Sequence, residues 1–183
     1  SADGHRRARG AVFPEPDPEK IIDIEMKDST IVTVSIPSEL VHVGLSVAGR
    51  EELFTTMAAQ LERLGYVRST FLEGMLARES RFPTGLPISG GVAIPHTDPE
   101  HVRSSCISIA TLKSPVPFGQ MGGDDEEIPV RLVLMLALHE SDDHLTVLQQ
   151  MMKNLRNTDF VEELLASDST PGIVERTRAV LDP

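Results

Sequence analysis

Gly90-Gly91-Val92-Ala93-Ile94-Pro95-His96-Thr97-Asp98 is the stretch on which the fold turns. Its two glycines release a three-residue apolar run, Val92-Ala93-Ile94, which is too brief for a helix and reads as a buried strand. Pro95 ends the ladder, because it has no N–H to donate and it holds Ile94 extended. The next side chain, His96, is therefore delivered at a strand end beside Thr97 and Asp98. With a reference pKa of about 6.5, a histidine placed there is neutral and nucleophilic near pH 7. The plainer role for a lone histidine is a strand cap or a single hydrogen bond. Its surroundings decide between the two.

Working outward, helical periodicity begins after Gly49. Leu53, Met57, Leu61 and Leu64 recur at helical spacing, and Gly65 follows as a stop. A second helix runs from about Ser69, with Phe71, Leu72, Met75 and Leu76 inward, and breaks before Pro83. Beyond His96 come apolar runs at Ser105–Leu112, Val116–Phe118 and Val130–Leu138. The last of these reads as a fully buried central strand. Between them, Gly122 to Glu127 forms an acidic surface turn. The C-terminal part is helical in three pieces, marked by Leu145, Leu148, Met152 and Leu155, then by Phe160, Val161, Leu164 and Leu165, then by Ile173, Val174, Thr177 and Val180. This order predicts an α/β layered domain with a mixed β-sheet flanked by α-helices.

Residues 1–20 read as a disordered or extended tail, with the basic cluster His5 to Arg9 and proline at every second position from Pro14 to Pro18. Residues 21–38 read as an extension carrying a candidate added strand, Ile31–Ile36, with Val32, Val34 and Ile36 on one face. Leu40–Val47 is a further strand candidate, and the main domain is placed at 39–183.

Composition narrows the function classes. The 183 residues carry 28 acidic against 17 basic side chains, a formal net charge of −11. That balance argues against a nucleic-acid or anionic-membrane partner, both of which call for a basic face. No apolar run approaches the ~18 residues needed to span a bilayer. No signal-peptide pattern marks the N-terminus, and one cysteine, Cys106, fits a reducing cytoplasm. Within the apolar alternation around it, Cys106 reads as a packed, inert thiol.

The chemistry-bearing candidates converge on His96. Arg78 ends the second helix in Met75-Leu76-Ala77-Arg78-Glu79, and Thr84 lies in the turn that follows. A guanidinium and a hydroxyl beside an imidazole suit a phosphoryl group, whose oxygens take forked, charge-assisted donors. The plainer roles are a charge complementing the helix dipole for Arg78 and a turn residue for Thr84. His139-Glu140-Ser141-Asp142-Asp143-His144 follows the long buried strand. It puts His144 in the first turn of a helix, where N–H groups attract anions, or else leaves it as an exposed polar residue. His101 reads as a surface residue. A zinc site built from His96, His139 and His144 is the rival chemistry, although neither HExxH nor paired CxxC spacing is present. No GxSxG elbow supports a serine hydrolase.

Taken together, these pieces resemble the IIA component of the bacterial phosphotransferase sugar-uptake system, in the fructose/mannitol superfamily. The resemblance runs from about Leu40 to Leu181. It rests on Leu76-Ala77-Arg78-Glu79, Phe82-Pro83-Thr84-Gly85-Leu86, Val92-Ala93-Ile94-Pro95-His96 and Leu136-Ala137-Leu138 ahead of Asp143-His144-Leu145. The wording from Arg78 to Gly85 with Ala93-Ile94-Pro95-His96 looks most like the galactitol-type branch. The resemblance implies a mixed sheet between helices, with His96 as phosphoryl carrier, Arg78 as the helix-end arginine and His144 as the second histidine of mannitol-type members. It also implies a phosphotransferase without cofactor or metal. Such a protein is loaded by HPr, is unloaded onto a cysteine of the IIB component, and works with the membrane-bound IIC in hexitol uptake. A regulatory module that uses the same phosphohistidine as a signal stands as the alternative.

Overall fold

The computed structural model describes residues 21–25, 31–123, 125–139 and 141–181, and of residues 22–25, 31–33 and 141–145 it describes the backbone alone. The tail at 1–20 lies outside the described residues. Among the described residues, seven strands and five α-helices follow one another as β1 (Ile21–Glu25), β2 (Ile31–Ser35), β3 (Val41–Leu45), α1 (Arg50–Arg63), α2 (Phe71–Arg81), β4 (Gly85–Leu86), β5 (Val92–Ala93), β6 (Cys106–Gly119), β7 (Glu127–Ala137), α3 (Ser141–Leu155), α4 (Thr158–Ala166) and α5 (Thr170–Leu181).

The strands form one mixed sheet in the order β1-β2-β6-β7-β5-β4, and β3 joins the edge of β6 beyond β2. Strand β7 is central, antiparallel to β6 and parallel to β5. Helices cover both faces, so β7 alternates between two apolar layers. Leu132, Leu134 and Leu136 pack with Val147, Met151, Phe160, Leu164 and Ile173 of α3–α5. Val133, Met135 and Ala137 pack with Leu53, Phe54, Met57, Leu61 and Met75 of α1 and α2. This double burial explains the unbroken apolar run at Leu132–Leu138, because neither face of that part of the strand meets water. Phe54 and Phe118 lock α1 to β6, with ring centroids 5.8 Å apart and planes at 57°.

Several details refine or go beyond the sequence expectations. The apolar runs at Ser105–Leu112 and Val116–Phe118 belong to one long strand, whose register shifts between Thr111 and Val116. Pro117 faces Pro129 across the ladder, a pairing that requires no donor from either ring. The candidate strand at Ile31–Ile36 forms β2, an antiparallel partner of β1 that touches β6 in parallel at Ser35 and Cys106. Residues 85 and 86 form the small strand β4 against β5. Cys106 is fully buried and its thiol is pushed far up by burial, which leaves it inert.

Candidate functional site

His96 sits at the end of the short strand β5, clamped against the C-terminal end of β7. Leu136 donates its N–H to the Pro95 carbonyl at 2.9 Å, and His96 and Leu136 form a parallel bridge. Proline here interrupts the ladder as donor while still serving it as acceptor. The imidazole is mostly buried, at 8% exposure. Its Nδ1 lies 2.9 Å from the Ile94 carbonyl. A carbonyl only accepts, so Nδ1 carries the proton and Nε2 the lone pair.

Burial lowers the His96 pKa below its ordinary value of 6.5. The bond to Ile94 opposes that shift, the Arg78 charge adds to it, and the Asp98 charge opposes it. The ring is therefore neutral near pH 7. Two pH consequences follow from a folded pKa below the unfolded one. Phosphoryl acceptance should be half lost only at a pH below 6.5, which nuclear magnetic resonance of the ring checks directly. The stability that His96 contributes is complete above about pH 6.5 and is lost as pH falls through the folded value.

Arg78 projects from the last turn of α2. Its Nη1 contacts Asp98 Oδ1 at 3.3 Å, and its guanidinium lies over the Phe82 ring, 5.4 Å from the centroid. Its Nε is buried and makes no hydrogen bond among the described residues. A buried charged donor without an acceptor is costly to leave unpaired, and here it stands beside the histidine whose ring its charge acts upon. Arg78, Phe82, Thr97, Asp98 and His101 line a cleft of about 330 Å³ next to the site. Phe82 is 62% exposed, the largest exposed apolar side chain among the described residues.

Thr84 lies behind this cleft. Its hydroxyl and N–H both go to the Glu79 carboxylate, at 2.9–3.1 Å and 2.9 Å. Its carbonyl accepts from Ile94 N–H at 3.3 Å. The Thr84 proton is thus committed to Glu79, and the residue braces the strand that carries His96. Burial raises the Glu79 pKa, while the bonds from Thr84 and the Arg50 charge act against the rise. The Glu79–Thr84 pair is a feature sequence reasoning missed; the signal was an acidic residue and a turn threonine five positions apart around a helix end.

His144 is the fourth residue of α3, whose first residue follows four positions after the end of β7. Its side chain lies outside the described residues. His101 departs from the surface expectation. Its side chain is only 18% exposed, with Nδ1 at 2.8 Å from Thr70 Oγ1 and Nε2 at 3.4 Å from Glu100. It packs so closely on α2 that a Cβ at Gly74 would lie 2.8 Å from its Nε2. His139 binds the Val102 carbonyl through Nδ1 at 2.9 Å. Among the described residues no three His, Cys, Asp or Glu side chains gather as a metal site would need.

A mixed sheet between helices that presents a buried histidine beside an arginine suits a protein that handles phosphoryl groups. Residues 35–176 match the family model for the phosphoenolpyruvate-dependent sugar phosphotransferase system, EIIA 2. The chain belongs to that family and is a phosphotransferase component that carries phosphoryl groups. It is 32% identical over 143 residues to the galactitol-specific EIIA component of Escherichia coli K12, covering 78% of this chain and 95% of that one. The crystal structure of mannitol IIA from Escherichia coli superposes with a TM-score of 0.65 at 26% identity, covering 76% of this chain and 96% of that one. Mannitol IIA in complex with phosphorylated mannitol IIB from the same organism gives 0.66 at 26% identity, with 78% and 96% covered.

Proposed function

We propose that residues 39–183 form the phosphocarrier domain of a hexitol transport system of the galactitol type, with His96 as its phosphoryl acceptor. The observation that carries this reading is the Nδ1–H bond from His96 to the Ile94 carbonyl, which leaves the lone pair on Nε2. Nε2 attacks phosphorus in line, the donor's P–N bond breaks, and its electron pair returns to the donor. Positioning and charge stabilisation suffice for such a transfer. Arg78 offers its unfilled Nε–H to a phosphoryl oxygen, and the α3 N-terminus with His144 supplies further donors. Thr84 acts through Glu79 and Ile94 by fixing the strand end.

HPr is the donor, a IIB component the acceptor and IIC the membrane partner, all met at the cytoplasmic side. No described helix is long and apolar enough to cross a membrane. Phe82, beside the cleft, is an apolar anchor for these transient partners. The galactitol-specific relatives at 32% identity favour transport over the regulatory alternative. Incubation with phosphoenolpyruvate, enzyme I and HPr should add one acid-labile phosphoryl group. Transfer onward to a galactitol IIB supports the substrate class, and failure of that step with loading intact overturns the substrate class alone.

A further inference from the structure

Asp98 lies two residues beyond His96 and holds Arg78 Nη1 at 3.3 Å. The ion pair is partly exposed, 35% at the arginine and 63% at the aspartate. The guanidinium is thus tethered at one corner by Asp98 and braced by the Phe82 ring, and its buried Nε makes no hydrogen bond among the described residues. Both charged groups act on the His96 ring, in opposite senses. The Asp98 side chain caps nothing: the short 3-10 turn Pro99–His101 that follows is closed by the Asp98 carbonyl, which accepts from His101 N–H at 3.2 Å. Among the described residues the carboxylate's side-chain partner is Arg78.

We propose that Asp98 is a positioning residue that sets how readily the loaded site gives up its phosphoryl group. While His96 is bare, the carboxylate keeps the guanidinium beside it. Once His96 is loaded, carboxylate and phosphoryl group compete for the same cation, and the added negative charge beside Asp98 raises the energy of the loaded state. On unloading, an acceptor thiolate forms the S–P bond, the N–P bond breaks, and its electron pair returns to Nε2. The proton on Nδ1 stays with the Ile94 carbonyl in both directions. A carrier needs this balance, because a site that stabilised its loaded form without opposition would trap the group instead of passing it on.

This inference rests on His96 as acceptor, and the test separates the two. Wild type, Asp98→Asn and Asp98→Glu are loaded with Escherichia coli phospho-HPr, regenerated by enzyme I and phosphoenolpyruvate, and in parallel with phosphoramidate. Asp98→Asn should shift the loading equilibrium toward the phosphorylated form by about threefold to fivefold, the scale of an exposed ion pair, and lengthen the loaded form's lifetime similarly. It should also move the His96 titration further down, a change that a purely structural role would not produce. Asp98→Glu should restore wild-type behaviour in part. An unchanged or weakened loading equilibrium in Asp98→Asn, with wild type labelled at His96, overturns the role of Asp98 alone. Wild type that takes no label at His96 from either donor overturns both readings.

Discussion

His96→Ala should lose phosphoryl acceptance outright, by at least about 10⁴-fold, while the protein stays folded. The loss is this large because the substitution removes the bond-forming atom, not a contact. Among the described side chains, three other histidines are otherwise engaged. His42 is held on β3 with its pKa lowered by burial, and its Nε2 is buried. His101 is pinned between Thr70 and Glu100, and His139 is bound to the Val102 carbonyl. Structurally the change is mild. It deletes one largely buried ring at a strand end whose main-chain bond to Leu136 belongs to Pro95 and survives, so a cost of about 1–2 kcal/mol is expected. Circular dichroism and a thermal melt establish the fold, and labelling from phospho-HPr reads the loss. Residual labelling at another histidine would keep the phosphocarrier class and displace His96 from its centre.

Gly91→Ala should be the most damaging single methyl in the molecule. Gly91 has φ +75°, and a Cβ there would fall 1.8 Å from the Pro129 carbonyl oxygen, 2.8 Å from its carbon and 3.0 Å from Val130 Cα. These are main-chain atoms of the central strand, so no side chain can swing aside. Relief requires β5 to separate from β7. The same glycine's carbonyl accepts from the N–H groups of Arg131 and Leu132 at 3.0 and 3.1 Å, and those bonds would break with it. Left-handed strain and overpacking together suggest a cost of about 3–5 kcal/mol, or about 10 °C in melting temperature for a chain of this size. Gly122→Ala is the matched control. It shares a positive φ, 62°, with nothing within 4 Å of its Cβ, so it should cost only about 1 kcal/mol. Equal melting temperatures for the two variants would refute the steric account. Because Gly91 opens the strand that carries His96, its alanine variant should also lose acceptance in whatever fraction stays folded.

Much of this architecture was legible in residue pattern because its elements obey local rules. Gly65 and Pro83 stop the first two helices where the chain turns, and the seven apolar residues Leu132–Leu138 in succession are explained by burial on both faces. Where local rules mislead, the reason is tertiary. Ser105–Leu112 and Val116–Phe118 read as separate apolar runs, yet β6 runs through both, and Pro117 meets Pro129 at a position that requires no N–H. Strand β4 is two residues long and exists only because β5 is beside it.

The site follows the same division. His96 and Arg78 stood out because proline after a strand and arginine at a helix end are local signals. The burial of Glu79 against Thr84, and the arrest of Arg78 by Asp98 twenty residues away, depend on how α2 lies along β5. Spacing along the chain carries no trace of that distance. His101 shows the converse error. Its polar neighbours suggested a surface, but Gly74 lets it sink against α2.

The central claim is that one nitrogen of one histidine carries the phosphoryl group. It is tested most directly by loading ¹⁵N-histidine-labelled protein from phospho-HPr and reading phosphorus–nitrogen couplings by nuclear magnetic resonance. The account predicts a single phosphorus coupled to Nε2 of His96, with Nδ1 still protonated toward the Ile94 carbonyl. Phosphorus on Nδ1 of His96, which would require breaking the bond to Ile94, or on His144 or any other residue, would contradict it.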